Sequence, residues 1–311
     1  MSAIATGPRL GFLGVGWIGR DRMDAIAADG SAEVAAVADP AVDGALAGLD
    51  DLLEQDLDGI VIATPSALHA EQAIAALERG LAVFCQKPLG RTAAEARAVV
   101  DAARRADRLL GVDMSYRHTE AAQRVRDVLD PQGVFAADFV FHNSYGPDKA
   151  WFYDPALSGG GCVIDLGTHL IDLALWLLGW PRVEHVEGRL HMAGAVEEYA
   201  VAQLDLAGGA VVRIACSWNV PLGRDAEISA RLVHRDGCLQ IGNVDGSFYD
   251  FVAERVVDGR VETLASPPDD WGGRAAVAWS QQLAESRRFD AEIEHVVDVA
   301  SVVDAIYGSR S

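Results

Sequence analysis

Between Arg9 and about residue 115, short apolar runs alternate with stretches of helical periodicity. RLGFLG, EVAAVAD, DGIVIATP, LAVFCQ and LLGVDMS are brief and almost wholly apolar, which predicts buried strands. Ala-rich amphipathic segments separate some of them, from Ser66 to Arg79 and from Thr92 to Arg105. Thr92 with Glu95 three residues on predicts a capping box at the second start. Strands alternating with helices imply right-handed crossovers and a parallel sheet covered on both faces.

The pattern changes after residue 116. A helix from Thr119 to Leu129 leads into VFAADFVFHNSY, then a Gly-rich loop and another helix. From Val183 the chain predicts consecutive strands: VEHVEGRLHMA, YAVAQLDLA, AVVRIACSW, EISARLVHR and CLQIGNV. Gly208-Gly209 stands between two of them as a hairpin turn would. Ala291 to Tyr307 returns to helical spacing. There is no internal repeat and no Pro-rich linker, so two closely packed domains are expected.

Gly14, Gly16 and Gly19 form GxGxxG after the first strand and at the start of a helix, which gives the first domain a chemistry. The first glycine permits the tight turn and the second lets backbone approach a pyrophosphate. The third allows close strand–helix packing. Trp17 and Ile18 open the helix whose N-terminus would face the phosphates. Asp39 ends the next strand at the distance expected of a ribose ligand. A carboxylate there accepts from the 2′-hydroxyl and repels a 2′-phosphate, and Pro40, Ala41 and Val42 offer no cation to hold one. NAD is therefore expected over NADP, with a cap on the strand end as the other reading of Asp39. The expected fold is α/β: a Rossmann dinucleotide-binding domain over 1–116, then an α+β domain with a largely antiparallel open sheet over 117–311.

Bulk composition narrows partners more than chemistry. The net charge of -20 repels phosphate backbones and anionic membranes, so neither nucleic acid nor a membrane is an expected partner. Cys85, Cys162, Cys216 and Cys238 form no CxxC pair, so reduced thiols and no metal site are expected. Met1 to Gly7 lacks the features of a signal peptide, and the apolar run Leu170 to Leu178 is broken by Asp172 and too short for a bilayer. A cytoplasmic protein is expected.

Two further segments carry candidate chemistry. Gln86-Lys87-Pro88 puts a lysine at a strand C-terminus, where ligands meet sheets of this kind. Gly159-Gly160-Gly161 precedes a helix with Asp165 and His169 four apart, on one face, and Asp172 three residues later. A carboxylate beside an imidazole sets its tautomer, as a general base requires. Taken singly, Lys87 reads as a solvated lysine, Asp165 as a dipole partner and His169 as a core histidine.

Together with GFLGVGWIGR, TPSALHAEQA (Thr64 to Ala73), QKPLG and GGGCVIDLGTHLIDLALWLLG, these segments make the chain resemble the glucose–fructose oxidoreductase, inositol dehydrogenase and rhizopine-catabolism family. The resemblance implies a nicotinamide cofactor bound near Thr64, Pro65, Ser66, His69, Gln86 and Lys87, and a sugar or polyol substrate at the domain cleft. It implies catalysis by Lys87, Asp165 and His169, a cis peptide before Pro88, and a homodimer or homotetramer formed through the C-terminal sheet. The family usually has Glu-Lys-Pro; Gln86 removes that negative charge beside Lys87. Tyr116, Arg117 and Trp151 are candidate substrate contacts, with packing as their other reading. An NAD-dependent dehydrogenase follows, interconverting a secondary alcohol and a ketone, or a lactol and a lactone. A biosynthetic keto-sugar reductase, a glycoside-cleaving enzyme using transient oxidation and a dinucleotide sensor remain open alternatives.

Overall fold

A computed structural model describes residues 7–308. Met1–Thr6, most of the segment tested above for a signal peptide, lie outside the described residues. The chain forms two compact units, one holding the residues up to Asp113 together with Gly272–Val297, the other Met114–Trp271 together with the residues from Asp298 on.

In the first unit, β1 (Arg9–Leu13), α1 (Trp17–Asp29), β2 (Glu33–Ala38), α2 (Leu49–Leu53), β3 (Gly59–Ile62), α3 (Ser66–Glu78), β4 (Ala82–Cys85), α4 (Ala93–Ala106) and β5 (Leu110–Val112) alternate along the chain. The sheet order is β2-β1-β3-β4-β5, with every pair parallel. Helices cover both faces of such a sheet, which is why all residues of β3 and β4 are buried and no polar alternation marks them. Thr92 caps α4 by accepting the Glu95 N–H at 3.2 Å. The return half of the expected box differs: Glu95 accepts from the Arg91 N–H at 2.7 Å.

The second unit contains α5 (Glu120–Val128), β6 (Ala136–Asn143), α6 (Pro155–Ser158), α7 (Thr168–Leu177), β7 (Val183–Ala193), β8 (Val196–Leu206), β9 (Val211–Ser217), β10 (Ala226–His234), β11 (Gly237–Asn243), β12 (Phe251–Val257) and β13 (Arg260–Ala265). They form one eight-stranded sheet, β13-β12-β11-β10-β6-β9-β8-β7, antiparallel except for the parallel pair β6–β9. Gly208 and Gly209 both have positive φ, +96° and +89°, in the three-residue turn that brings Ala210 back opposite Leu206. The last two strands were not anticipated. One sheet face buries Phe139, Phe141, Ala202, Leu204, Ile214 and Cys216 in a core shared with α5 and α7. The helical stretch Pro155–Leu177 is, by length and hydropathy, long and apolar enough to cross a bilayer, contrary to the expectation from uninterrupted runs. In this fold 83% of that window is buried inside the protein.

After the sheet, α8 (Arg274–Ala284) returns to the first unit, and α9 (His295–Gly308) follows. The expected continuous span 117–311 is thus interrupted by 272–297. The physical reason is Trp279, whose ring lies 5.7 Å from that of Phe84. A Cβ on Gly59 or Gly111 would come within 3.0 and 2.8 Å of the indole, so the two strand glycines make room for α8.

Candidate active site

The first unit gathers the expected dinucleotide residues at the C-terminal ends of its strands. Gly14 has φ +83°, and a Cβ there would sit 2.8 Å from the Ala63 carbonyl oxygen. At Gly19 a Cβ would fall on the Gly14 carbonyl, so only glycine lets α1 start this close to β1. Gly16 precedes α1, whose first turn has no side-chain cap and no acidic residue. Its backbone N–H groups and positive dipole end therefore suit an anion. The turn also lies between β1 and β3, where the strand order reverses. A dinucleotide pyrophosphate fits this cradle. Trp17 is 71% exposed, and Ile18 is half-buried.

Asp39 does more than end β2. Its Oδ2 accepts the Val15 N–H at 2.8 Å and its Oδ1 accepts the Ala41 N–H at 2.9 Å, which ties β2 to the glycine turn. Each carboxylate oxygen has a second lone pair beyond these. Thr64 donates its hydroxyl to Gln72 Oε1 at 2.6 Å, Pro65 is exposed at the start of α3, and Ser66 is buried. His69 is buried as well, with Nδ1 2.7 Å from the Pro88 carbonyl oxygen and Nε2 2.7 Å from that of Thr64. Burial pushes its pKa down, against the pull of the two carbonyls. It braces the turns after β3 and β4.

The Lys87–Pro88 peptide is cis. Gln86 is buried and donates to Asp113 Oδ2, which also accepts Arg22 Nε at 2.7 Å. Burial opposes the Arg22 charge, but Asp113 and then Asp21 outweigh it and raise its pKa. A buried carboxylate thus lies beside Gln86 even though residue 86 itself is neutral.

In the second unit, every residue from Gly160 to Leu175 is buried except Asp165 and His169. The turn Val163–Gly167 is π-helical and runs directly into α7, so Asp165 and His169 flank a change of helix pitch. Asp165 Oδ2 accepts the Trp218 indole N–H at 3.2 Å. The His169 ring meets the Tyr116 ring edge-on, with centroids 5.0 Å apart. Tyr116 also packs on Phe141, Phe251 and Trp271, and burial, then Tyr249 and Asp165, push its pKa up. Arg117 donates Nε to Asp172 Oδ2 at 2.6 Å and Nη2 to the other oxygen, with its guanidinium 4.8 Å above the Trp180 ring. Trp151 is stacked 3.9 Å from Phe152. Tyr116 and Arg117 thus have structural partners that the sequence reading allowed for. Trp218 was missed; a lone Trp at a strand end gave no signal.

Residues 9–114 match the model of an oxidoreductase family with an NAD-binding Rossmann fold, and residues 133–240 match that of the GFO/IDH/MocA C-terminal domain. The chain belongs to the GFO/IDH/MocA family. It is similar to levoglucosan dehydrogenase of Pseudarthrobacter phenanthrenivorans, with 34% identity over 40% of this chain and only 34% of that protein. Similarity to D-xylose 1-dehydrogenase (NADP(+)) 2 of Haloferax volcanii is longer, at 31% identity over 92% of this chain and 88% of that protein. The fold matches an aldose-aldose oxidoreductase from Caulobacter crescentus, complexed with glycerol, at TM-score 0.84 and 20% identity, covering 97% of both chains.

Proposed function

We propose that this GFO/IDH/MocA protein is an NAD-dependent dehydrogenase for a secondary alcohol, or lactol, of a sugar or polyol. The observation that carries the reading is the exposure pattern of one helix: buried throughout from Gly160 to Leu175, it leaves only a carboxylate and an imidazole accessible. Burial favours apolar side chains, so two polar ones kept at the surface of a core helix mark chemistry rather than packing.

Bound nicotinamide supplies the acceptor for the substrate's hydride. His169 takes the hydroxyl proton as general base. Lys87 donates to the same oxygen and offsets the negative charge that develops there. Asp165, held by Trp218, orients His169 or a neighbouring hydroxyl. Asp39 selects NAD, since its remaining lone pairs suit a ribose 2′-hydroxyl and repel a 2′-phosphate. The Haloferax relative is named for NADP, so cofactor choice is part of the test. We further infer a cytoplasmic enzyme that assembles through the open face of its eight-stranded sheet.

The test is a panel of D-xylose, myo-inositol and levoglucosan with NAD and with NADP, followed by absorbance of the reduced cofactor. Turnover of at least one substrate with NAD is expected. A protein that binds NADH yet reduces neither cofactor with any of them, nor oxidises NADH with the matching ketones, is a sensor instead.

A further inference from the structure

Between Ser158 and Ile164 the chain has to bring a glycine triplet into a buried helix start, and helix starts leave backbone N–H groups without intrahelical partners. Two distant side chains meet those groups here. Glu197, fully buried on β8, accepts the N–H of Gly161 and of Val163 at Oε1, both at 3.0 Å. Tyr307, in the last turn of α9, donates its hydroxyl to the same oxygen at 2.8 Å and accepts the Ile164 N–H at 3.2 Å. Residues 161, 163 and 164 are thus gripped from outside the helix, one to four residues ahead of Asp165.

The surrounding sequence is built around this grip. A Cβ on Gly160 would fall on the Tyr307 hydroxyl, and one on Gly161 on the Glu197 carbonyl, so two glycines of the triplet are spaces for the clamp. Glu197 reaches the interior through a bulge. Along β8, Ala200, Ala202, Leu204 and Leu206 point inward, which would turn position 197 outward. The pairing with β7 jumps from Tyr199 to Glu197, leaving Glu198 as the extra residue and rotating Glu197 into the core. A carboxylate there complements the positive end of the helix. Burial, with the adjacent Glu197 charge, pushes the Tyr307 pKa well up, so the phenol stays a neutral donor.

We propose that Glu197 and Tyr307 are positioning residues that set the placement of Asp165 and His169 by clamping the start of their helix. The inference rests on the reading of Asp165 and His169 as catalytic, and its test separates the two.

Tyr307→Phe, Glu197→Gln and Glu197→Ala are compared with the wild type on whichever of D-xylose, myo-inositol and levoglucosan turns over fastest with NAD. Tyr307→Phe loses both hydroxyl contacts, and kcat is expected to fall by about 10–100-fold with KM within about threefold and NADH binding intact. Glu197→Gln keeps an acceptor oxygen and should retain most of the turnover that Glu197→Ala loses. Amide hydrogen exchange, which needs no turnover, is measured on the same proteins: Tyr307→Phe should speed exchange at Ile164 and along 165–169. A folded, NADH-binding Tyr307→Phe with near-normal kcat, or with unchanged exchange over 161–169, overturns the clamp. Wild-type protein without turnover on any substrate overturns the catalytic reading instead, and the exchange data then decide the clamp alone.

Discussion

Single residues carry the selectivity of the proposed enzyme, and some carry two duties. Asp39, the proposed ribose ligand, also holds the Val15 and Ala41 N–H groups. Asp39→Ala should therefore raise KM for NAD by about tenfold and narrow the gap to NADP, because it loosens the glycine turn as well as removing the charge; a two-cofactor Michaelis series measures both. Arg117 gives a stability prediction. Asp172 is buried against it, so Arg117→Met strands a carboxylate in the core and should cost about 3–5 kcal/mol, while Arg117→Met with Asp172→Asn should cost less. Urea unfolding of the two variants checks the order. His69 and His142 are both shifted down chiefly by burial, so the unfolded chain binds protons that the folded one refuses. Their contribution is present at neutral pH and is lost progressively as pH falls below about 6.5 towards their lowered folded values, which thermal melts across that range should record as a falling Tm.

At the scale of elements, what was legible in the sequence followed from local physics. The five strands of the first unit were legible because parallel strands buried on both faces are continuous apolar runs. The α7 helix was legible from its spacing, although the π turn over Val163–Gly167 was not. β12 and β13 were missed despite a turn signal, Asp258-Gly259, both at positive φ. The cause is β13, five of whose six residues are exposed or half-buried, so it has little apolar patterning. α8 was missed although Ala275, Ala276, Trp279 and Ser280 have helical spacing; what no local signal carries is its packing beside β4 and β5. Its Trp279 predicts its own weight: Trp279→Ala should cost about 3–5 kcal/mol, because it removes a buried indole packed on Phe84, Gly59 and Gly111. Calorimetry would register the loss. Of the proposed catalytic residues, Lys87, Asp165 and His169 were legible as residue types at telling positions. Glu197, Tyr307 and Trp218 were not, because each reaches the helix from a distant segment.

For the whole molecule, the sheet's open face sets an expectation about assembly, against the self-repulsion of a net charge of -20. That face carries Asp138, Arg213, Gln203 and the half-exposed Tyr199 and Val201, a mixed surface suited to pairing with a second copy. Light scattering should find a dimer or tetramer, and Val201→Glu should shift it towards the monomer; a wild-type monomer at micromolar concentration would rule this out. Assembly is secondary, however, to hydride transfer assisted by His169. The most direct measurement is single-turnover NADH formation by wild type and His169→Ala, with NADH binding measured in parallel. Wild type should form one NADH per site, and the variant should be slower by about 10²–10⁴-fold with unchanged binding. A variant that forms NADH at the wild-type rate would contradict the account.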